Sequence, residues 1–442
     1  MKDTPGTIST RSSLSRRAVL RGGLGAGSAG LLAAGAPRLG TRSIRGSAAQ
    51  TEMRLSFPSW QQDEPGSSDW WKARIATFEE AHPGVTIDFT KIAVGEVADK
   101  LLTQFAAGSP PQIVHVPYLN LLPFASQGFL EPLDSYLEGT DILQNWTPLQ
   151  QGTQWEGQTY ALLLLAYGYA MIYNEQLLTD AGVAVPTTPA DFIQAAKTLT
   201  KGPDQFGFGT TTQPGFNIFS HISVFIVGNG GHVATDEGPT VNSPEAVEAV
   251  GWWVDLVKSG VTPTGMETGP LRQLLQQGKL AMWFDGPWGQ GFLKSAPPEV
   301  QPNLKVARLP FPKIFGGSSN VIAIPKDISD DEKAMVWEFI KSLSTPEAQR
   351  DYNLKYCTPT ARTDVTVPPD EVHASCPLID PWVEALNSPD LVDYFPRALA
   401  TKTQEMTRMT GEVLQKLITS DASVEEELDQ LQGQFEELAA ES

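Results

Sequence analysis

Cysteine is almost missing from this chain. The 442 residues contain two cysteines, Cys357 and Cys376, and none lies in the first 356 positions. A lipid anchor on an N-terminal cysteine is therefore excluded. Two cysteines also fall short of the clusters that hold structural zinc.

Histidine is scarce too, and the motifs of several enzyme classes are missing. The chain has no G-x-G-x-x-G fingerprint, no P-loop and no G-x-S-x-G elbow. Its five histidines show no metal-ligand spacing: they are His82, His115, His221, His232 and His373. We therefore expect no cofactor and no catalysis. The fifty-one carboxylates leave open a secreted carbohydrate-active enzyme, because a glycosidase needs only a facing acid pair.

Positive charge is concentrated at the N-terminus. Residues 1–49 carry eight basic residues and one acid, so the rest of the chain has a formal charge of −26 against −19 for the whole. A body this acidic repels nucleic acid and anionic membranes, and neither is an expected partner.

The basic N-terminus resembles a twin-arginine export signal. Arg16 and Arg17 precede a Gly/Ala-rich, weakly apolar stretch over 22–36, and Ala34-Gly35-Ala36 offers a cleavage site. A membrane anchor is the alternative, which the dense glycine disfavours. We expect residues 1–49 to be signal and linker, and the mature protein to be periplasmic or extracellular without a lipid anchor.

Export makes a disulfide between Cys357 and Cys376 chemically permissible. The twin-arginine route carries proteins that fold in a reducing compartment, so the bond must form late or not at all. We favour pairing over two free thiols.

Alternating patterns predict an α/β fold. A strand at 54–57, a helix that Asp69 is expected to cap and a strand at 85–89 form a β-α-β unit, and a helix at 97–107 with a strand at 112–116 repeats it. Ligands bind beyond the carboxyl ends of such strands. We therefore expect Trp60, Gln61 and Tyr118 to contact a ligand. For Trp60, packing between lobes is an equal alternative.

The most informative segment runs from Leu280 through Asp285-Gly286-Pro287-Trp288. Gly and Pro break the predicted strand, so an indole stands just past its end. Such a ring suits the apolar face of a sugar. We expect Trp288 to stack on ligand with Gly286 permitting close approach. The alternative is a ring that plugs a domain seam, and Asp285 is either a hydroxyl acceptor or a turn cap.

Several segments follow one another in a specific order, among them Tyr173-Asn174, Asn242-Ser243-Pro244-Glu245-Ala246, Gly286-Pro287-Trp288, Gly316-Gly317-Ser318-Ser319 and Ser344-Thr345-Pro346-Glu347-Ala348. In this order they resemble the extracellular solute-binding proteins of ABC importers, in the family that binds maltose, other sugars and glycerol phosphates. The resemblance starts near residue 53 and reaches the C-terminus. Its most specific part combines Gly286-Pro287-Trp288 with the later Gly316-Gly317-Ser318-Ser319.

The resemblance implies two discontinuous α/β lobes joined by hinge strands, as in class II periplasmic binding proteins. The first lobe would comprise 50–165 plus 306–352, and the second 166–305 plus 353–442. A ligand between them would stabilise the closed form. We expect a monomer that captures a carbohydrate and delivers it to the permease subunits of an importer. A glycerol phosphate or a polyol is the alternative ligand.

Further contacts follow from positions in the family. They are Tyr167, Phe216, Asn217, Gly317, Ser318 and Arg362. For Ser318 a plain tight turn is the alternative, and for Arg362 a surface position is. One departure is notable: Leu163-Leu164-Leu165-Ala166 stands where relatives carry polar groups that hold ligand. We therefore expect the aromatic rings to contribute more of the binding here.

Overall fold

The first strand forms where Leu55 and Phe57 alternate with polar residues. In the computed structural model, which describes residues 52–441, this strand (β1, Met53–Ser59) pairs in parallel with a second (β2, Val85–Lys91) across helix α1 (Ser67–Ala81). The predicted β-α-β unit is confirmed. One detail is wrong: Gly66 is the N-cap of α1 and Asp69 lies in its first turn, where a carboxylate still favours the positive end of the helix.

The described residues form twelve strands and seventeen α-helices. The strands are β1 Met53–Ser59, β2 Val85–Lys91, β3 Val114–Pro117, β4 Gln154–Trp155, β5 Gln158–Thr159, β6 Leu162–Gly168, β7 Ala170–Asn174, β8 Phe206–Gly209, β9 Leu280–Asp285, β10 Leu304–Arg308, β11 Ile314–Ala323 and β12 Leu391–Asp393. The helices are α1 Ser67–Ala81, α2 Val97–Ala106, α3 Leu121–Ser126, α4 Asp134–Leu137, α5 Ile142–Asn145, α6 Glu175–Asp180, α7 Pro189–Leu199, α8 Phe216–Gly228, α9 Pro244–Lys258, α10 Thr268–Gln276, α11 Gly289–Lys294, α12 Asp330–Leu343, α13 Pro346–Tyr356, α14 Pro369–Ser375, α15 Asp380–Leu386, α16 Thr403–Thr419 and α17 Val424–Ala440.

Two larger sheets organise these elements. In the first sheet β11 pairs with β3, β6 and β12, and the amide of Ile113 donates to the carbonyl of Ser56, which attaches the β1–β2 pair. The second sheet has the order β10-β7-β9-β8, with β8 parallel to β9 and the other pairs antiparallel.

The chain crosses between the sheets at least twice. β6 ends in the first sheet at Gly168 and β7 begins the second at Ala170, whereas β10 ends in the second at Arg308 and β11 begins the first at Ile314. The predicted lobe ranges stay a prediction. Strand pairing places these two crossings a few residues after the predicted boundaries at 165 and 306.

Apolar helix faces fill the core as their spacing predicts. Trp70, Trp71 and Trp253 are fully buried. The last helix, α17, buries Leu428 and Phe435 and packs against α16 and α9 on the side of the second sheet. This apolar stripe is therefore core.

The predicted export signal lies outside the described residues. Within 52–441, no helix combines the length and the apolarity that a membrane crossing requires.

A disulfide joins Cys357 and Cys376, whose Cα atoms are 5.4 Å apart, and this confirms the favoured pairing. The two cysteines end α13 and α14 and are buried against Ile379. The bond therefore ties α14 to the helix that packs on α1.

We expect the free energy of unfolding to be about 3 kcal/mol lower in the double variant Cys357→Ala/Cys376→Ala than in the wild type, because the bond closes a short loop in the unfolded chain. Urea denaturation with and without dithiothreitol measures this. Reductant should lower the stability of the wild type and leave the variant unchanged. Finding two titratable thiols in the unreduced, unfolded wild type would contradict the prediction.

Candidate functional site

A cleft of about 960 Å³ lies where the two sheets meet. On the side of the first sheet it is lined by the segments that follow β1 and β2. On the other side it is lined by one face of α8, one face of α10 and the start of α11. The lining includes Trp60, Gln61, Asp63, Glu64, Lys91, Glu96, Tyr167, Tyr169, Phe216, Asn217, Ser220, His221, Glu267, Arg272, Trp288, Phe292, Ser319, Asn320 and Tyr356.

Trp288 forms part of the wall directly after β9, as its sequence context predicts. The half-buried indole meets the rings of Tyr167 and Tyr169 edge to face, with centroids 5.1 and 5.9 Å away. Gly286 is essential to this arrangement, since a Cβ atom there would lie 2.3 Å from the indole. Gly286 itself does not line the cleft and acts by leaving room for the ring.

Trp60 is held as a platform on the opposite side. Its ring stacks on His115 with 4.3 Å between centroids and 9° between planes. His115 is fixed in turn by Ser59 Oγ at 2.8 Å and by Asn320 Oδ1 at 3.2 Å. Burial lowers the pKa of His115 to about 4, so the ring is neutral at physiological pH. One face of Trp60 is thus occupied by protein, and the residue lines the cleft.

Gln61 reaches the cleft but uses its amide inside the protein. Its Oε1 accepts from Trp71 Nε1 at 2.7 Å, and its Nε2 donates to the hydroxyl of Tyr356 at 3.1 Å. That hydroxyl donates to Glu64 Oε2 at 2.8 Å. Desolvation raises the pKa of Glu64, and the positive charge of Arg272 opposes this shift. Gln61 therefore orients the carboxylate that faces the cleft.

Asp285 lies behind the wall and does not line the cleft. Its carboxylate accepts from Arg272 Nε and Nη2, both at 3.0 Å, and from Trp283 Nε1 at 2.9 Å. Arg272 does line the cleft, with its guanidinium carbon 4.2 Å from the centre of the Phe292 ring. Sequence reasoning missed Arg272, because nothing local marks the residue that neutralises Asp285.

Helix α8 presents both residues predicted on it. Phe216 and Asn217 line the cleft, and Asn217 Nδ2 donates to Glu267 Oε2 at 2.8 Å. Ser220 and His221 line it as well and were missed. They lie one helical turn after the predicted pair, so the i, i+4 spacing was the available signal.

Tyr118 and Arg362 are two more predicted residues that do not line the cleft. The hydroxyl of Tyr118 donates to the carbonyl of Gly152 at 2.9 Å. The buried guanidinium of Arg362 pairs with Asp141 and, at 2.7 Å, with Asp364. Carboxylates from distant positions thus engage the arginine that had been expected to meet ligand.

Gly317 and Ser318 lie inside β11, and neither lines the cleft. The next two residues of β11, Ser319 and Asn320, do line the cleft. The register of β11 against β6 shifts between Ser318 and Asn320. Such an irregularity changes which side chains point to which face.

Strand β6 shows the effect of its unusual composition. Leu163, Leu164, Leu165 and Ala166 are buried, and only Tyr167 of this strand lines the cleft. The other polar side chains of the lining therefore lie on α8, on α10, on β11 and in the segments after β1 and β2.

The family model for bacterial extracellular solute-binding proteins matches residues 64–350, more than half of the chain. The chain belongs to this family. A putative binding protein of Brucella abortus is 25% identical to this solute-binding protein over 342 residues, covering 74% of this chain and 78% of the relative.

Solved structures share the fold of this solute-binding protein. The GacH receptor of Streptomyces glaucescens, solved unliganded and with acarbose, superposes with a TM-score of 0.76 at 22% identity, covering 88% of this chain and 99% of the receptor. UgpB from Mycobacterium tuberculosis, solved with glycerophosphocholine, gives 0.74 at 18% identity, covering 88% and 98%. The expected two-lobed α/β fold of periplasmic binding proteins is confirmed.

We expect Gly286→Ala to displace the Trp288 ring from the wall of this solute-binding protein. The emission of Trp288 should shift to longer wavelength as the ring gains solvent. The measurement is tryptophan fluorescence. Each protein is compared with the same protein carrying Trp288→Phe, and the difference between the two spectra isolates the Trp288 signal. Gly251→Ala is the matched control, since a Cβ atom at that glycine would meet nothing within 4 Å. Identical emission in both glycine variants would contradict the clash.

The neutral His115 makes stability depend on pH. Its pKa is about 4 when folded and has an ordinary value near 6.5 when unfolded, so its contribution is complete above pH 6.5 and is lost as the pH falls toward 4. When the pH falls from 7.5 to 5.0, the decrease in the free energy of unfolding should be about 2 kcal/mol smaller in His115→Gln than in the wild type. Urea unfolding at both pH values tests this.

Proposed function

We propose that this solute-binding protein captures an uncharged carbohydrate in its cleft and delivers it to the membrane subunits of an ABC importer. The observation that supports this most is the pair of half-buried tryptophans. Trp60 follows a strand of the first sheet, and Trp288 follows a strand of the second. Indole faces match the C–H faces of sugar rings, and nearby carboxylates and amides match their hydroxyls.

The charge of the cleft favours a sugar over a glycerol phosphate. GacH was solved with acarbose and UgpB with glycerophosphocholine, so the fold itself is compatible with both ligand classes. In this cleft the cationic side chains of the lining are already paired with carboxylates. Arg272 binds Asp285, and Lys91 Nζ lies 2.5 Å from Asp63 Oδ2. The lining also includes Glu64, Glu96 and Glu267. A phosphate would meet more carboxylates than available positive charge.

Capture requires no bond breaking in this proposal. The chain crosses between the sheets near 168–170 and near 308–314, and bending there would bring Trp60 and Trp288 onto one ligand. A ligand that contacts both sides stabilises the closed form, so the closed form indicates that ligand is bound.

Family members are binding proteins, and we extend that role to this chain. Export by the twin-arginine signal at 15–36 belongs to the same proposal.

A thermal-shift panel of neutral oligosaccharides, polyols and glycerol phosphates tests the ligand class. A specific ligand at one hundred times its Kd should stabilise the protein by about 2.7 kcal/mol. We expect oligosaccharides to give the largest shifts. Stabilisation by glycerol phosphates alone would overturn the charge argument, and turnover of any oligosaccharide would favour an enzyme.

For the best oligosaccharide, Trp60→Ala and Trp288→Ala should each weaken binding at least tenfold, which corresponds to about 1.4 kcal/mol. Calorimetric titration measures this. Trp252→Ala provides a control, because that half-buried ring stacks on Phe311 and does not line the cleft. Affinities within a few-fold of the wild type in both cleft variants would contradict the stacking role.

A further inference from the structure

Helix α8 carries a histidine whose protonation state is set by the backbone. The amide N–H of Thr211 donates to His221 Nδ1 at 3.1 Å, and the hydroxyl of Thr210 lies 3.3 Å from the same nitrogen. A backbone N–H can only donate, so Nδ1 must be an acceptor. The proton of the neutral ring is then on Nε2.

The surroundings hold this ring in place. Trp253 Nε1 donates to Thr210 Oγ1 at 3.0 Å, which leaves the hydroxyl proton of Thr210 free to point at His221 Nδ1. The ring of Trp283 packs edge to face against the imidazole with 4.9 Å between centroids. Position and tautomer are thus fixed before any ligand arrives, and such preorganisation reduces the cost of binding.

The ring does not gain a charge near neutral pH. Burial and the adjacent positive charge of Arg272 lower the pKa of His221 to about 3. A second proton would also break the bond from the Thr211 amide. His221 therefore differs from an ordinary histidine, which titrates near pH 6.5.

The Nε2–H group is the part that can meet a ligand. His221 lines the cleft and is partly exposed. Within residues 52–441, the hydrogen bonds of this ring involve Nδ1, where Thr211 and Thr210 are the partners, and Nε2 has no acceptor. A fixed N–H in a site that closes must find an acceptor, since a buried unpaired donor is destabilising.

The neighbouring groups decide what kind of acceptor fits. Arg272 supplies another donor close by, and Asp285 cancels its charge. Glu64 and Glu267 line the same cleft and repel an anion. An ammonium group has no lone pair to offer. The acceptor that remains is an uncharged oxygen.

We propose that His221 is a specificity-determining residue, a neutral Nε2–H donor that binds a hydroxyl, ring or glycosidic oxygen of the ligand. This inference rests on the proposed carbohydrate function. It adds a polar contact from helix α8 that makes up for the polar groups missing from β6.

Nitrogen-15 NMR of the histidine rings tests the tautomer without any ligand. Between pH 5 and pH 8, His221 should show one protonated nitrogen, Nε2, with no titration. His221→Gln identifies the resonance. A proton on Nδ1, or a ring that becomes charged above pH 5, would overturn the proposal.

Calorimetric titration with the best stabiliser from a maltotriose, cellotriose and chitotriose panel tests the contact. His221→Phe removes the donor, and we expect at least a tenfold loss of affinity. His221→Gln can place an amide N–H near the position of Nε2, so it should recover part of this loss, and His373→Gln should bind as the wild type does. Circular dichroism verifies folding.

The outcomes separate the two proposals. Wild-type affinity in a folded His221→Phe variant overturns the role of His221 and leaves the carbohydrate function standing. Failure of every sugar to stabilise the wild type overturns the function, and the inference that rests on it falls as well.

Discussion

The carboxylate of Asp285 is the group on which the second side of the cleft depends. It stands at the end of β9, accepts from both Arg272 and Trp283, and also accepts from the amide of Gly286 at 2.9 Å. Its backbone carbonyl accepts from Trp382 Nε1 at 2.9 Å. Removing such a buried partner would leave the guanidinium charge uncompensated, at a cost of about 3–5 kcal/mol. The turn that presents Trp288 therefore begins from a residue fixed on several sides.

Local signals in the sequence were sufficient for most of the scaffold. Thr188, Ser243 and Thr345 cap α7, α9 and α13 with their side chains, as the Thr/Ser-Pro patterns predict. Trp288 was found because Gly and Pro end a strand beside it. These features depend on neighbours within a few residues, which a single sequence displays.

Contacts between distant residues explain what sequence reasoning could not place. Arg362 pairs with Asp141, 221 positions away, and Gln61 bonds to Tyr356, 295 positions away. A sequence shows that a charged or amide side chain exists, but not which partner engages it. Ser318 and Ser319 illustrate a different limit, since one irregular step in β11 decides which of two adjacent serines lines the cleft.

The apolar strand β6 links these findings to function. The backbone of Leu163 bonds to Gln150 Oε1 and Trp146 Nε1, both at 2.8 Å, so the polar groups of this residue serve the core. A strand used in this way offers a ligand only Tyr167. Other polar groups of the lining lie on β11 and on the side of α8 and α10, where Asn217 bonds to Glu267 and Arg272 bonds to Asp285. Because these charges are satisfied inside the protein, the cleft is better suited to orienting a neutral polar ligand than to neutralising a charged one.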